Sequence, residues 1–212
     1  MRLRLVWNAM MMTEDWVEKV LNGLSEAGYA VLPQAFAPSM VAALREEALG
    51  RREQFRPAGI GNQATRVQAV RGDSIDWLEW GEGGAGLQAF WQAMDALRDA
   101  LNRELYLGVR ELECHFALYP SGGGYQKHLD NPQGRSARWV TVLLYLNPDW
   151  QPSHGGVLQI FDPVFDPEDE SRVLARVEPR AGTFVAFLAE RFPHEVLLAH
   201  HERLSLTGWF RR

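Results

Sequence analysis

The pattern of apolar and polar positions changes about halfway along the chain. From Thr13 to about Leu105 apolar residues recur at helical spacing. "TEDWVEKVLNGLSEAGYAVLP" places Trp16, Val17, Val20, Leu21 and Leu24 on one helix face, with Gly28 as a stop and "YAVLP" as a short strand. "SMVAALREEALGRR" predicts a second helix that Ser39 can N-cap. "GLQAFWQAMDALRDALNRELYL" predicts a third, with Leu87, Phe90, Trp91, Met94, Leu97 and Leu101 on one stripe. These stripes are read as core packing. Between the second and third helices, "FRPAGIGNQATRVQAVRGDSIDWLEWGEGGAG" is punctuated by glycine and predicts short strands and a mobile loop.

After Leu105 the period shortens to two. "ELECHFALYP", "YQKHLDN", "RWVTVLLYLN", "GGVLQIFDP", "SRVLARVEP", "GTFVAFLAE", "HEVLLAH" and "ERLSLTGWF" are short segments rich in β-branched and aromatic residues. Gly, Pro, Asn and Asp separate them. Eight strands at this spacing predict an α+β fold, a jelly roll (double-stranded β-helix) or small barrel, with the N-terminal helices packed on one sheet. Residues 13–105 supply helical support and a substrate loop, and residues 106–212 the jelly-roll core. "DPVFDPEDESR" reads as a solvated acidic loop.

Composition narrows the class. The 212 residues suit a single domain with a sizeable core. A net charge of −5 gives no general attraction to nucleic acid. The single cysteine, Cys114, excludes a disulfide framework and points to a reducing cytoplasm. No apolar run approaches the ~18 residues that span a bilayer. The opening "MRLRLVWNAMMM" lacks the cleavage site of a signal peptide.

Candidate chemistry lies in the second half. In a strand, residues two apart share a face, so His128 and Asp130 in "KHLDN" point the same way. Alone, such a pair is more often a hydrogen-bonded His–Asp at a strand end than a metal site. His194, behind Pro193 at the start of another predicted strand, changes that reading. Two imidazoles and one carboxylate on neighbouring strands form the facial triad of non-haem Fe(II) oxygenases, which leaves adjacent metal positions open. His154, His200 and His201 fall in turns and are assigned to the surface, and His115 to a structural role in a strand. Arg203, nine residues after His194, is a lone cation among alternating apolar residues. It either pairs with an acid of the protein or clamps a ligand carboxylate through both guanidinium arms.

The stretches "YPSGGGYQKHLDNPQG", "RWVTVLLYLNPDW", "GGVLQIF", "VEPRAGTFVAF", "RFPHEV" and "TGW" together resemble the catalytic core of the 2-oxoglutarate- and Fe(II)-dependent prolyl 4-hydroxylases. The resemblance is closest to the oxygen-sensing branch that modifies hypoxia-inducible factor and to its bacterial relatives. It covers roughly Leu112 to Arg212, with a weaker echo in "VRGDSIDWLEW". Nucleic-acid demethylases share the triad but place the carboxylate-binding arginine farther from the second histidine.

The resemblance implies that His128, Asp130 and His194 bind the iron. It implies that Arg203 pairs with the 5-carboxylate of 2-oxoglutarate, that Tyr145 donates to that carboxylate and that Tyr119 lies beside the co-substrate. Thr141, Leu143 and Trp209 are expected to line the pocket. Arg138 is expected to contact a peptide substrate, and Asp73 to be an acid able to pair with Arg138. The implied reaction consumes O₂ and 2-oxoglutarate, releases succinate and CO₂, and hydroxylates a prolyl C4, with ascorbate as a possible helper. A protein bearing the target proline is the expected partner, with elongation factor Tu the substrate to try first; neither nucleic acid nor membrane is expected. "FRPAGIGNQATRVQAV" is where substrate choice is expected, and "GEGGAG" is read as a second mobile segment. Three rival readings stay open: a hydroxylase of a free amino acid or small molecule, a 2-oxoglutarate and metal sensor without turnover, and a structural barrel with a coincidental triad.

Overall fold

The computed structural model describes residues 15–59, 70–132, 137–163 and 172–212. The start "MRLRLVWNAMMM", the centre of the expected substrate loop and most of the acidic loop lie outside the described residues.

Three helices form where the apolar stripes place them: α1 (Trp16–Glu26), α2 (Pro38–Gly50) and α3 (Ala85–Leu105). Helix α1 buries Trp16, Val20 and Leu24, one residue per turn. Helix α2 starts two residues earlier than a Ser39 cap would place it. Ala37 takes the cap position and Pro38 the first turn, so Ser39 is not the N-cap. Proline suits that place because its fixed φ is already helical and its missing N–H has no partner there. All six stripe residues of α3, from Leu87 to Leu101, are buried.

Eleven strands are described: β1 (Tyr29–Leu32), β2 (Arg56–Pro57), β3 (Ser74–Leu78), β4 (Glu111–Tyr119), β5 (Tyr125–His128), β6 (Arg138–Tyr145), β7 (Leu158–Phe161), β8 (Val173–Val177), β9 (Phe184–Leu188), β10 (His194–Val196) and β11 (Arg203–Arg211). The eight predicted core segments correspond to β4–β11. They form two antiparallel sheets, a large one of order β1-β9-β6-β11-β4-β3-β2 and a small one of order β5-β10-β7-β8. The first half of the chain is thus more than helical support, because β1, β2 and β3 extend the large sheet on both sides.

Alternation in the large sheet divides its side chains between two cores. Leu204, Leu206 and Phe210 of β11, with Val140, Val142 and Leu144 of β6, pack under the three helices. Tyr119 of β4 and Leu143 and Tyr145 of β6 face the small sheet, where they meet Leu158, Ile160 and Val196. The polar members of the same face, Arg203, Ser205 and Thr207, line a cavity between the sheets. Among the described residues no helix is long and apolar enough to cross a membrane.

"GEGGAG" does not behave as the expected mobile segment. The Glu47 carboxylate of α2 accepts backbone N–H bonds from Gly84 at 2.8 Å, Gly86 at 2.8 Å and Leu87 at 3.3 Å. An anion there satisfies the free N–H groups of α3 and its positive dipole end. A Cβ on Gly86 would lie 2.8 Å from both the Glu47 carboxylate and the backbone of α2, so the glycines allow the two helices to approach. Replacing Glu47 by Ala should cost about 1–2 kcal/mol of stability, and Glu47→Gln less, because an amide oxygen still accepts. Urea unfolding of the three proteins measures this, and equal midpoints would remove the carboxylate from the account.

Candidate active site

β5 and β10 pair so that His128 and His194 stand directly opposite each other. Their rings lie 4.3 Å apart between centroids. Asp130 follows two residues after the end of β5 and sits between them. Its Oδ1 is 3.7 Å from His128 Nε2 and its Oδ2 is 3.6 Å from His194 Nε2. Among the described residues, these three alone form a group able to hold a metal ion, their ligand atoms all within 4.8 Å of one another.

Neighbouring groups aim the three donors. His128 Nδ1–H donates to the Gln126 carbonyl at 2.8 Å and His194 Nδ1–H to the Phe192 carbonyl at 3.1 Å. Each bond leaves the Nε2 lone pair pointing toward Asp130. From the large sheet, the Thr141 hydroxyl donates to Asp130 Oδ2 at 2.7 Å. Burial, then the neighbouring His194, pushes His128 down to about 3, so the imidazole is neutral. Burial alone would raise the Asp130 carboxyl, but His194, His128 and the Thr141 hydroxyl together hold it below its ordinary value. Two imidazoles with a carboxylate are the donor set of non-haem iron, and the three fit Fe(II).

The cavity continues from the triad to Arg203. Arg203 is buried, 1% exposed, and its guanidinium lies over Tyr119 at 5.0 Å and Tyr145 at 4.9 Å. Nε donates to the Gly156 carbonyl at 3.0 Å. Gly156 has φ +64°, and a Cβ there would meet Arg203 Cδ at 3.0 Å, so a glycine is what lets the chain close over the arginine. No carboxylate among the described residues pairs with Arg203. Its Nη2 has no hydrogen-bond partner, and neither has the Tyr145 hydroxyl. Burial holds the Tyr145 phenol above its ordinary value, so it presents an O–H. A buried cation and a buried donor, both unpaired, are costly unless an anion joins them. The protein-acid reading of Arg203 therefore finds no partner, and the two residues fit a ligand carboxylate.

Thr141, Leu143, Tyr119 and Trp209 line the same cavity, as do Arg138 and Asp73. The expected pairing of Asp73 with Arg138 is replaced by two others. Asp73 accepts from Arg71 Nε at 2.7 Å and Nη2 at 3.0 Å. Arg138 donates to Glu113 and lies 3.6 Å above the Trp209 ring. Backbone proximity decides this, because Arg71 is two residues from Asp73 on the same segment. His154, stacked on His201 at 3.9 Å, and the exposed His200 stay outside the triad.

Sequence reasoning missed His115, Ser205, Thr207 and Arg71 as cavity residues. Three of them were within reach. His115 lies four residues before Tyr119 on one strand, and Ser205 and Thr207 lie between Arg203 and Trp209 on another, all in step with residues assigned to the pocket. His115 packs edge-on against Trp77 at 4.7 Å and tilted against Trp209 at 5.3 Å, and the two indoles touch each other at 6.3 Å.

A jelly roll carrying two imidazoles, one carboxylate and a buried arginine with no acid partner among the described residues defines a 2-oxoglutarate/Fe(II) oxygenase. Residues 114–211 match the 2OG-Fe(II) oxygenase superfamily. The structure aligns with a Pseudomonas putida prolyl-4-hydroxylase at TM-score 0.82 and 40% identity, covering 92% of this chain and 99% of that one. It also aligns with a Trichoplax adhaerens prolyl hydroxylase, solved with a hypoxia-inducible-factor peptide fragment, at TM-score 0.81 and 28% identity, covering 99% and 92%. Human Egl nine homolog 1 is 36% identical over 157 residues, 71% of this chain but 35% of that protein, so the chain spans about a third of that relative's length. The chain belongs to the prolyl hydroxylase family of 2OG/Fe(II) oxygenases, whose members use Fe(II), 2-oxoglutarate and O₂.

His115 generates a pH prediction. Burial pushes it down to about 3, so the folded protein keeps it neutral while the unfolded chain protonates it near 6.5. Above pH 6.5 it contributes no pH dependence. As pH falls from 6.5 toward 3, the unfolded state gains a proton the folded state refuses, and stability drops by about 1.4 kcal/mol per pH unit. Between pH 7 and 5, wild type should lose about 2 kcal/mol more than His115→Phe in urea unfolding. Parallel losses would show that His115 protonates freely in the fold.

Proposed function

We propose that the protein is an Fe(II)- and 2-oxoglutarate-dependent dioxygenase that hydroxylates a prolyl residue at C4 in a protein substrate. The observation that carries this reading is the pair of unpaired buried groups, Arg203 Nη2 and the Tyr145 hydroxyl, in the same cavity as His128, Asp130 and His194. The 40% identity to a bacterial prolyl-4-hydroxylase over nearly the whole of that chain supports the choice of reaction. Elongation factor Tu is the first substrate to test, and the cytoplasm the compartment that a single buried cysteine suits.

Each residue has one task. His128, Asp130 and His194 would hold the iron, which would supply the oxidising chemistry. Arg203 and Tyr145 bind the 5-carboxylate, and Tyr119 lies along the co-substrate. Leu143 keeps water from the site, Thr141 fixes the Asp130 carboxylate, and Trp209 walls the far end. Arg138 offers a cation to the polypeptide at that end. The bound metal couples decarboxylation of 2-oxoglutarate by O₂ to oxidation of the substrate C–H bond.

Replacing His128, Asp130 or His194 by Ala should abolish Fe(II)-dependent succinate formation while far-UV circular dichroism stays that of the wild type. Retained turnover in any of the three would remove that residue from the metal set. Arg203→Lys should weaken 2-oxoglutarate binding by about ten-fold to a hundred-fold, because an ammonium cannot supply two parallel N–H donors. Arg203→Ala should weaken it further, and metal binding should be unchanged in both. A 2-oxoglutarate titration at saturating Fe(II) reads this, and equal affinities would dismiss Arg203 as anchor. Intact-mass analysis of elongation factor Tu and of whole-cell proteins after incubation with enzyme, Fe(II) and 2-oxoglutarate identifies the substrate by a gain of one oxygen. Turnover on free proline alone would move the assignment to a small-molecule hydroxylase.

A further inference from the structure

The two histidines of the triad are not held equally. His194 lies on β10, inside the small sheet between β5 and β7. Its side chain is 7% exposed and its ring packs on Phe187 at 4.7 Å. His128 ends β5, an edge strand, and its side chain is 20% exposed. One hydrogen bond to Gln126 fixes the in-plane direction of its ring but leaves the ring free to tilt. Edge strands are the soft part of a sheet, so a metal ligand placed there needs a second constraint.

Tyr125 supplies that constraint. Its ring stacks on His128 at 3.7 Å with an interplanar angle of 18°. Three residues apart, the two would face opposite sides of a regular strand. A bulge prevents this: His128 pairs with His194 and Tyr125 with Val196, so three steps along β5 match two along β10. The Arg71 guanidinium lies over the Tyr125 ring, 4.9 Å from its centroid, and Arg71 forms an isolated bridge with Tyr125 along the outer edge of β5. The neighbouring Gln126 N–H donates to the Val70 carbonyl at 2.9 Å. Asp73, 4% exposed, grips the guanidinium through two bonds. From Asp73 to Arg71 to Tyr125 to His128, each group has its orientation set by the one before.

We propose that Arg71, fixed by Asp73, is a positioning residue that presses Tyr125 onto His128 and so holds that imidazole in its ligand orientation. The inference rests on the reading that His128 is an iron ligand. It also gives Asp73 a task in this chain, since Asp73 is bonded to Arg71 rather than to Arg138.

Electrostatics and positioning predict opposite signs, which makes the proposal testable without turnover. Arg71 is a cation near the metal site, so removing its charge alone should tighten binding of a divalent cation. Loss of positioning should weaken it, by about ten-fold to a hundred-fold for a group that orients a ligand. The measurement is Co(II) affinity by visible absorption titration, without 2-oxoglutarate or substrate, for wild type, Arg71→Gln, Tyr125→Leu, Tyr125→Phe and His194→Ala. Arg71→Gln leaves Asp73 buried without its partner, so the double variant Arg71→Gln/Asp73→Asn is measured beside it, with the thermal unfolding of each metal-free protein. The expected result is weaker Co(II) binding and an altered cobalt spectrum in Arg71→Gln, the double variant and Tyr125→Leu, with Tyr125→Phe restoring both. A fold that is merely less stable would shift unfolding without changing the spectral envelope, and that outcome overturns the proposal. Co(II) binding as tight as or tighter than wild type in both Arg71→Gln and the double variant also overturns it. Failure of the wild type to bind Co(II), or undiminished binding by His194→Ala, would overturn the metal-site reading together with this one.

Discussion

The site depends on a guanidinium buried where the described residues supply no anion for it. Arg203 is 1% exposed, and its bonding within the chain is a single N–H to a carbonyl and two aromatic faces. Desolvating a cation on those terms costs several kcal/mol, which the fold must offset through its apolar contacts. The large sheet provides them. β11 is flanked on both sides, by β4 and β6, along nearly its whole length. Its even-numbered side chains anchor under the helices while Arg203, Ser205, Thr207 and Trp209 face the cavity. The strand that carries the greatest electrostatic cost is therefore among the best-supported strands in the molecule.

Much of this was legible from the alternation alone. Period-two patterning located all eight core strands, and the spacing of His128, Asp130 and His194 placed three donors on neighbouring strands. What the pattern lacked was register. Two-residue spacing says that His128 and Asp130 share a face, but not that His194 stands opposite His128 across a strand pair. The expected Asp73–Arg138 contact failed for a similar reason. An acid takes the nearest cation with matching geometry, and Arg71 on the same segment outcompeted a residue brought in by another strand.

The stack of Tyr125 on His128 was beyond sequence reasoning for a sharper reason. Strand periodicity assigns residues three apart to opposite faces. A bulge reverses that assignment locally, and a bulge is a property of two strands compared, not of either one. The Glu47 cap on α3 has the same character: no local signal in "GEGGAG" announces that a carboxylate 37 positions earlier binds its backbone. Both features look like flexibility when the chain is read one residue at a time.

The two ends of the cavity make opposite demands, and the sheet meets both with one set of strands. At the Arg203 end a charge must be kept dry, so Tyr119, Tyr145 and Leu158 close around it and Gly156 lets the chain pass over it. At the other end, under the proposed function, a polypeptide must reach the triad, and Trp209 and Arg138 line that end. Trp77, 49% exposed, leads through buried His115 to Trp209, with Arg138 on the Trp209 face. Aromatic rings pinned this way lose little freedom when a ligand lies on them, so the entrance is organised before a substrate arrives. His115 belongs in that ladder only while neutral, which burial ensures. A protonated imidazole against the two touching indoles and near Arg138 would bring a second cation to a surface already holding one. The depressed proton affinity of His115 and the rigidity of the entrance are thus one consequence of packing an imidazole where water does not reach.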